Sequence, residues 1–191
     1  PADWYTDIDA VPVPASWALG VEMHRGFTQA LETVWNEMLA QLRPLQDGRR
    51  RLWITGHSLG GALAALAAHR LLCADARSVA GLCTFGQPRC GDPEFCADLE
   101  TRLAGRYWRL VNYRDPVPRV PLESMGYDHA GTLVYADSAG RLSIDPAWWL
   151  RGLDLLALPT EREQLALLVR SAVANHSDYT EILAAAPDAR A

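Results

Sequence analysis

Ser58 lies in the run Ile54-Thr55-Gly56-His57-Ser58-Leu59-Gly60-Gly61-Ala62-Leu63, a G-x-S-x-G pentapeptide between a short apolar stretch and an alanine-rich one. A serine hydroxyl is a weak nucleophile near neutral pH unless a turn presents it and a base takes its proton. Residues 51–55 read as a buried strand and 59–74 as a helix, so the pentapeptide has the strand-turn-helix setting that makes it a nucleophile elbow. In so tight a turn Gly56 and Gly60 are expected to avoid side-chain collisions, and Gly61 to let the helix pack closely on the sheet. The helix dipole directs partial positive charge at the turn. Leu59 N–H, at the helix start, is the candidate oxyanion donor.

Such a nucleophile needs an imidazole base and an acid that fixes the imidazole tautomer. Elements around the elbow supply candidates for both. Residues 19–24 read as a strand and 27–42 as a helix with Leu31, Val34, Trp35, Met38, Leu39 and Leu42 on one face. A second apolar strand, 78–85, is closed by Gly86-Gln87-Pro88, and Asp92-Pro93 opens a helix with an acidic cap and a first-turn proline. The strand 107–113 ends at Arg114-Asp115-Pro116, which puts Asp115 just past a strand's carboxyl end, where open α/β sheets build their sites. Asp92 is accounted for as a cap, and Asp128, Asp137 and Asp154 lack a strand-end position. Residues 131–137 and 141–144 form a hairpin at a sheet edge. Residues 161–174 carry Leu165, Leu168, Val169, Ala172 and Val173 at helical spacing, and Asn175-His176-Ser177 interrupts them. The alternation of strands and helices predicts a largely parallel sheet with helices on both faces.

Composition narrows the classes. At 191 residues one domain is expected over 1–191, and a net charge of −5 argues against a nucleic-acid partner. All 18 basic residues are arginine. The four cysteines, Cys73, Cys83, Cys90 and Cys96, are too few and too ordinarily spaced for a disulfide framework and are read as reduced. No C-x-x-C pair or His/Cys cluster in the sequence suggests zinc, no apolar run is long enough to span a membrane, and no secretion signal is present. The chain starts at Pro1 without a methionine, so an upstream segment is left open; the compartment leans cytoplasmic with secretion open.

The chain resembles the class 3 lipases, the family of the fungal triacylglycerol lipases. Met23-His24-Arg25-Gly26-Phe27 is similar to its V-H-x-G-F segment, residues 55–63 to its T-G-H-S-L-G-G-A-L elbow, and residues 84–92 to its T-F-G-x-P-R-x-G-D block. Residues 111–118 resemble the acid-bearing strand end, residues 126–131 the G-Y-x-H-x-G block, and Asn175-His176-Ser177-Asp178-Tyr179 the D-H-x-x-Y base motif. Of the five histidines, His57 adjoins the nucleophile and should point away from its hydroxyl, and His24 precedes it. His69, eleven residues along the helix, is expected on the surface. The order Ser, acid, His of α/β-hydrolases leaves His129 and His176. The resemblance implies Ser58 as nucleophile, Asp115 as acid, His176 as base and Leu59 N–H as oxyanion donor, with His129 structural.

The function implied is cleavage of carboxylic esters, foremost acylglycerols, through an acyl-enzyme. No metal or organic cofactor is expected, and the partners are a lipid or other ester substrate, with transient contact with a lipid surface open. Phospholipid, feruloyl-type or acyl-transfer chemistry would use the same triad, and a lipid-binding module or truncated hydrolase without turnover is the reading outside enzymes. Members of the family carry a strand ending in R-G-T or R-G-S that supplies a second oxyanion donor. That motif is not in these 191 residues, so the domain is expected to lack its N-terminal strands. The block around Trp4, Tyr5 and Ile8 resembles the lid region of fungal relatives, although core packing accounts for it as well. The apolar stretch with Trp148, Trp149, Leu150, Leu153, Leu155, Leu156 and Leu158 is expected to be a packed helix, with an acyl-binding rim or a membrane-surface helix as the alternatives.

Overall fold

The computed structural model describes residues 10–46, 49–113, 115–147 and Tyr179. The lid-like block, the stretch 148–178 and His176 therefore lie outside the described residues. In chain order the elements are β1 (Pro12–Pro14), β2 (Glu22–His24), α1 (Arg25–Leu42), β3 (Trp53–His57), α2 (Leu59–Ala74), β4 (Gly81–Phe85), α3 (Pro93–Leu103), β5 (Tyr107–Asn112), β6 (Thr132–Ala136) and β7 (Leu142–Ile144).

Strand β1 is not among the strands expected from the sequence, and its Pro12 and Pro14 cannot donate to a ladder. The bonds come from their neighbours: Ala15 N donates to Val21 O and Arg25 N to Val11 O, so β1 pairs antiparallel with β2 as a two-stranded ribbon. Helix α1 begins two residues earlier than the pattern implies. His24 caps it, with Nδ1 accepting from Phe27 N at 3.4 Å and its ring stacked on Phe27. The cap at α3 is the one the sequence announces, Asp92 Oδ1 accepting from Phe95 N at 2.7 Å, worth about 1 kcal/mol. Asp92 Oδ2 also accepts from Glu22 N, tying α3 to β2.

The main sheet runs β3-β4-β5-β6-β7, parallel through β6 and closed by antiparallel β7. Because β3, β4 and β5 are neighbours in sequence order, right-handed crossovers put α2 and α3 on one face, where they touch each other and α1 packs on α2. Alanine at positions 62, 64, 65, 67 and 68 lets α2 sit close to β3, and Leu66, Leu72, Leu31, Phe27 and Trp35 fill the remaining space. The opposite face carries Trp53 and Trp108, stacked at 6.2 Å across Gly81, where a Cβ would meet the Trp53 ring at 2.3 Å. Tyr179, in helical conformation, lies against this second face with its ring edge-on to His57 (5.6 Å) and Phe85 (6.1 Å).

Candidate active site

Ser58 joins β3 to α2 with φ 56° and ψ −130°, a conformation that costs a non-glycine residue of order 1–3 kcal/mol. It is held there from both sides. Ser58 N donates to Phe85 O of β4 at 2.9 Å, and Ser58 O accepts from Gly61 N and Ala62 N. A serine in front of a helix ordinarily caps it with its hydroxyl. Here the side chain makes no cap bond, because the positive φ turns it away from the first-turn N–H groups. Leu59 opens α2, so its N–H is one of those without an intrahelical carbonyl.

The glycines divide their roles differently from the expectation. A Cβ on Gly56 would lie 2.1 Å from Gly60 O, so Gly56 is sterically required, whereas one on Gly61 would lie 3.0 Å from Gln87 Cβ, a tight contact that Gln87 must yield to. Gly60 is not required: a Cβ there meets nothing within 4 Å. The crowding is one-sided, since Gly56 faces the Gly60 carbonyl while Gly60's own missing side chain faces away.

Asp115 stands three residues beyond the end of β5 and is fully buried. Its N–H donates to Asn112 O, its Oδ1 accepts from Val117 N at 2.9 Å, and its Oδ2 accepts from the Tyr179 hydroxyl at 2.6 Å. A buried carboxylate needs such donors. The loop beyond it is fastened twice more. Arg89 Nη1 donates to Arg119 O and Pro121 O, and His129 Nε2 donates to Pro118 O at 2.6 Å. That bond ties the His129 ring to the loop following Asp115. His57 turns its ring to the second sheet face against Tyr179, and His24 is spent on capping α1.

His69 corrects the sequence reading. It is fully buried, not on the surface, because α2 is covered by α1, α3 and the loop carrying Trp17. Its Nδ1 accepts from Trp17 Nε1 at 3.0 Å and its Nε2 donates to Asp98 Oδ2 at 2.8 Å, while Arg102 Nε donates to the same oxygen. Burial pushes the imidazole pKa down, only partly opposed by Asp98. Burial also pushes Asp98 up, but the bonds from Arg102 and His69 outweigh it and hold the carboxyl below its ordinary range. Cys73 adjoins this group, so the fold assembles a His-Cys-Asp set that sequence spacing concealed. It is a poor metal centre, since both ring nitrogens of His69 are engaged and burial raises the Cys73 thiol. The four cysteines are separate thiols, and burial pushes Cys90 up to about 12.

Of the sequence-selected residues, the structure thus describes Ser58, Leu59 and Asp115, and His176 lies outside the described residues. Tyr179 spans the ends of β3, β4 and β5 through His57, Phe85 and Asp115. Sequence reasoning gives no role to Tyr179 or Arg89, although both stand in the blocks that carry the resemblance.

Comparison with known proteins agrees with this geometry. The lipase (class 3) family model matches residues 1–125, well over half of the chain. A lipase of Rhizomucor miehei is 38% identical over 134 residues, covering 68% of this chain and 37% of the relative. A secreted mono- and diacylglycerol lipase of Malassezia restricta is 34% identical over 119 residues, covering 61% of this chain and 40% of the relative. The chain therefore spans about two fifths of the length of these relatives, and the secreted relative lends no support to the cytoplasmic lean. A solved triacylglycerol lipase whose catalytic centre is described as a serine protease triad superposes with a TM-score of 0.67 at 32% identity, over 74% of this chain and 55% of that one. The fold is of the α/β-hydrolase type. With the strained Ser58 elbow, the buried Asp115 and a family model that runs across both, the chain belongs to the class 3 lipase family.

Proposed function

We propose that this chain carries the catalytic centre of a serine hydrolase that cleaves carboxylic esters of acylglycerols. The observation that carries the reading is the backbone of Ser58, strained into positive φ with its hydroxyl kept out of helix capping. Strain of this kind persists only where the surrounding structure enforces it.

The assignment of the base to His176 rests on the likeness of Asn175-His176-Ser177-Asp178-Tyr179 to the family's D-H-x-x-Y motif and on reach. His24 and His129 each hold one ring nitrogen in an internal hydrogen bond, His69 holds both, and His57 faces Tyr179. His176 precedes Tyr179 by three residues, which span at most about 11 Å of chain. The Tyr179 hydroxyl bond to Asp115 supports a base drawn from this part of the chain. In this reading His176 removes the proton of Ser58 as Oγ attacks the ester carbonyl, and Asp115 holds the imidazole in the required tautomer and balances its charge. Leu59 N–H donates to the tetrahedral oxyanion. His176 then returns the proton to the departing alcohol, and water repeats the sequence on the acyl-serine to release the acid.

Labelling with a fluorophosphonate tests the centre directly. Rapid modification of the wild-type chain at Ser58, absent in Ser58→Ala, is expected, together with hydrolysis of members of a panel of mono-, di- and triacylglycerols. A folded chain that neither labels nor hydrolyses any of them would overturn the proposal.

A further inference from the structure

Tyr179 is only 5% exposed, and every polar feature of its side chain is directed at the acid and its strand. Its hydroxyl donates to Asp115 Oδ2 at 2.6 Å and accepts from the N–H of Asn112, the last residue of β5, at 3.1 Å. Its ring meets His57, immediately before the nucleophile, and Phe85, whose carbonyl receives Ser58 N–H. One side chain thus touches the strand that bears Ser58, the strand that fixes the Ser58 backbone, and the carboxylate itself. Phenylalanine would fill the same space, but it would take one partner from Asp115 and one from Asn112.

We propose that Tyr179 is a positioning residue for the acid: its hydroxyl sets the orientation of the Asp115 carboxylate, and its ring, packed edge-on against His57 of β3 and Phe85 of β4, holds that hydroxyl in place. The proposal rests on the reading of Ser58, Asp115 and His176 as a triad. With Oδ1 taken by Val117 N–H and Oδ2 by Tyr179, the carboxyl plane cannot rotate, and the lone pairs left over point in fixed directions. The hydroxyl also shares the carboxylate's negative charge. It stays protonated throughout the working range, since burial and then the charge of Asp115 push its pKa well above the ordinary phenol value. Among the described residues, the other ionisable groups facing it are His57 from β3 and Arg109 from β5, the latter tied to Ala130 O.

Two variants of the chain test this on a soluble ester across pH 5–9. Tyr179→Phe is expected to lower kcat about tenfold with KM unchanged. It also moves the acidic limb of kcat/KM to higher pH, because the undivided charge of Asp115 then stabilises the imidazolium. A fluorinated tyrosine at 179 keeps ring and fold and strengthens the donor, so the limb moves to lower pH. A merely structural residue would lower the melting temperature and leave both limbs where they were, and that result overturns the proposal. Full activity in His176→Ala, or no labelling of Ser58, would instead bring down the triad reading beneath it, which separates the two failures.

Discussion

Replacing Gly56 by alanine places a methyl group 2.1 Å from Gly60 O, 2.4 Å from Gly60 C and 2.7 Å from Gly61 N. All three are backbone atoms of the first turn of α2, so no side-chain rotation relieves the overlap. Gly56 is fixed in turn by its register opposite Thr84 of β4, so either the pairing or the helix start must shift. A displacement of that kind costs at least about 3 kcal/mol. With a urea dependence of about 2 kcal/mol/M, the unfolding midpoint falls by about 1.5 M. Gly60→Ala is the matched control, two residues on the other side of Ser58. Its Cβ enters open space, and alanine inside a helix is favoured over glycine by about 0.5–1 kcal/mol, so the midpoint holds or rises. Gly61→Ala falls between, with its Cβ 3.0 Å from Gln87 Cβ and 3.2 Å from Gly56 O. Urea titrations followed by circular dichroism, with ester hydrolysis on the same samples, read all three. Equal destabilisation by Gly60→Ala and Gly56→Ala would refute the one-sided crowding deduced for this elbow.

Ser58→Ala and His176→Ala are each expected to remove almost all ester hydrolysis, and the double variant to lose little more, because residues acting as a unit are not additive; multiplying losses in single-turnover rates would contradict the triad. Burial lowers the pKa of His69, so the folded chain holds it neutral while the unfolded chain takes up a proton as pH falls through about 6.5; stability is therefore intact above that pH and declines below it. Melting curves at pH 8 and 5.5 should show a smaller loss for His69→Gln than for wild type, and parallel losses would exclude the assignment. We further propose that a segment outside these 191 residues supplies the second oxyanion donor. Lengthening the chain upstream through an R-G-T or R-G-S strand should then raise kcat by about 10²–10³, and unchanged rates would refute this.

What the sequence made legible was local. The strand-turn-helix around Ser58, the cap and proline at Asp92-Pro93, and the position of Asp115 past a strand end each depend on neighbours a few residues away. The misreadings share the opposite character. His69 sits on a helix apolar on most sides, so periodicity gives no warning that Trp17, 52 residues earlier, and Asp98, 29 later, enclose it. Pro12 and Pro14 argue against a strand until their neighbours provide its bonds. The freedom of Gly60 follows from which way one carbonyl points, which no spacing encodes. Tyr179 is visible as part of a motif, but its partner stands 64 residues earlier.

That long separation carries a kinetic and thermal consequence. Closing a loop of such length costs conformational entropy, whereas β3, α2 and β4 are stitched by near neighbours. The Tyr179 clasp on Asp115 can thus open as a cooperative unit of its own while the core holds. Turnover should vanish on warming some degrees before ellipticity does, and return on cooling without global refolding.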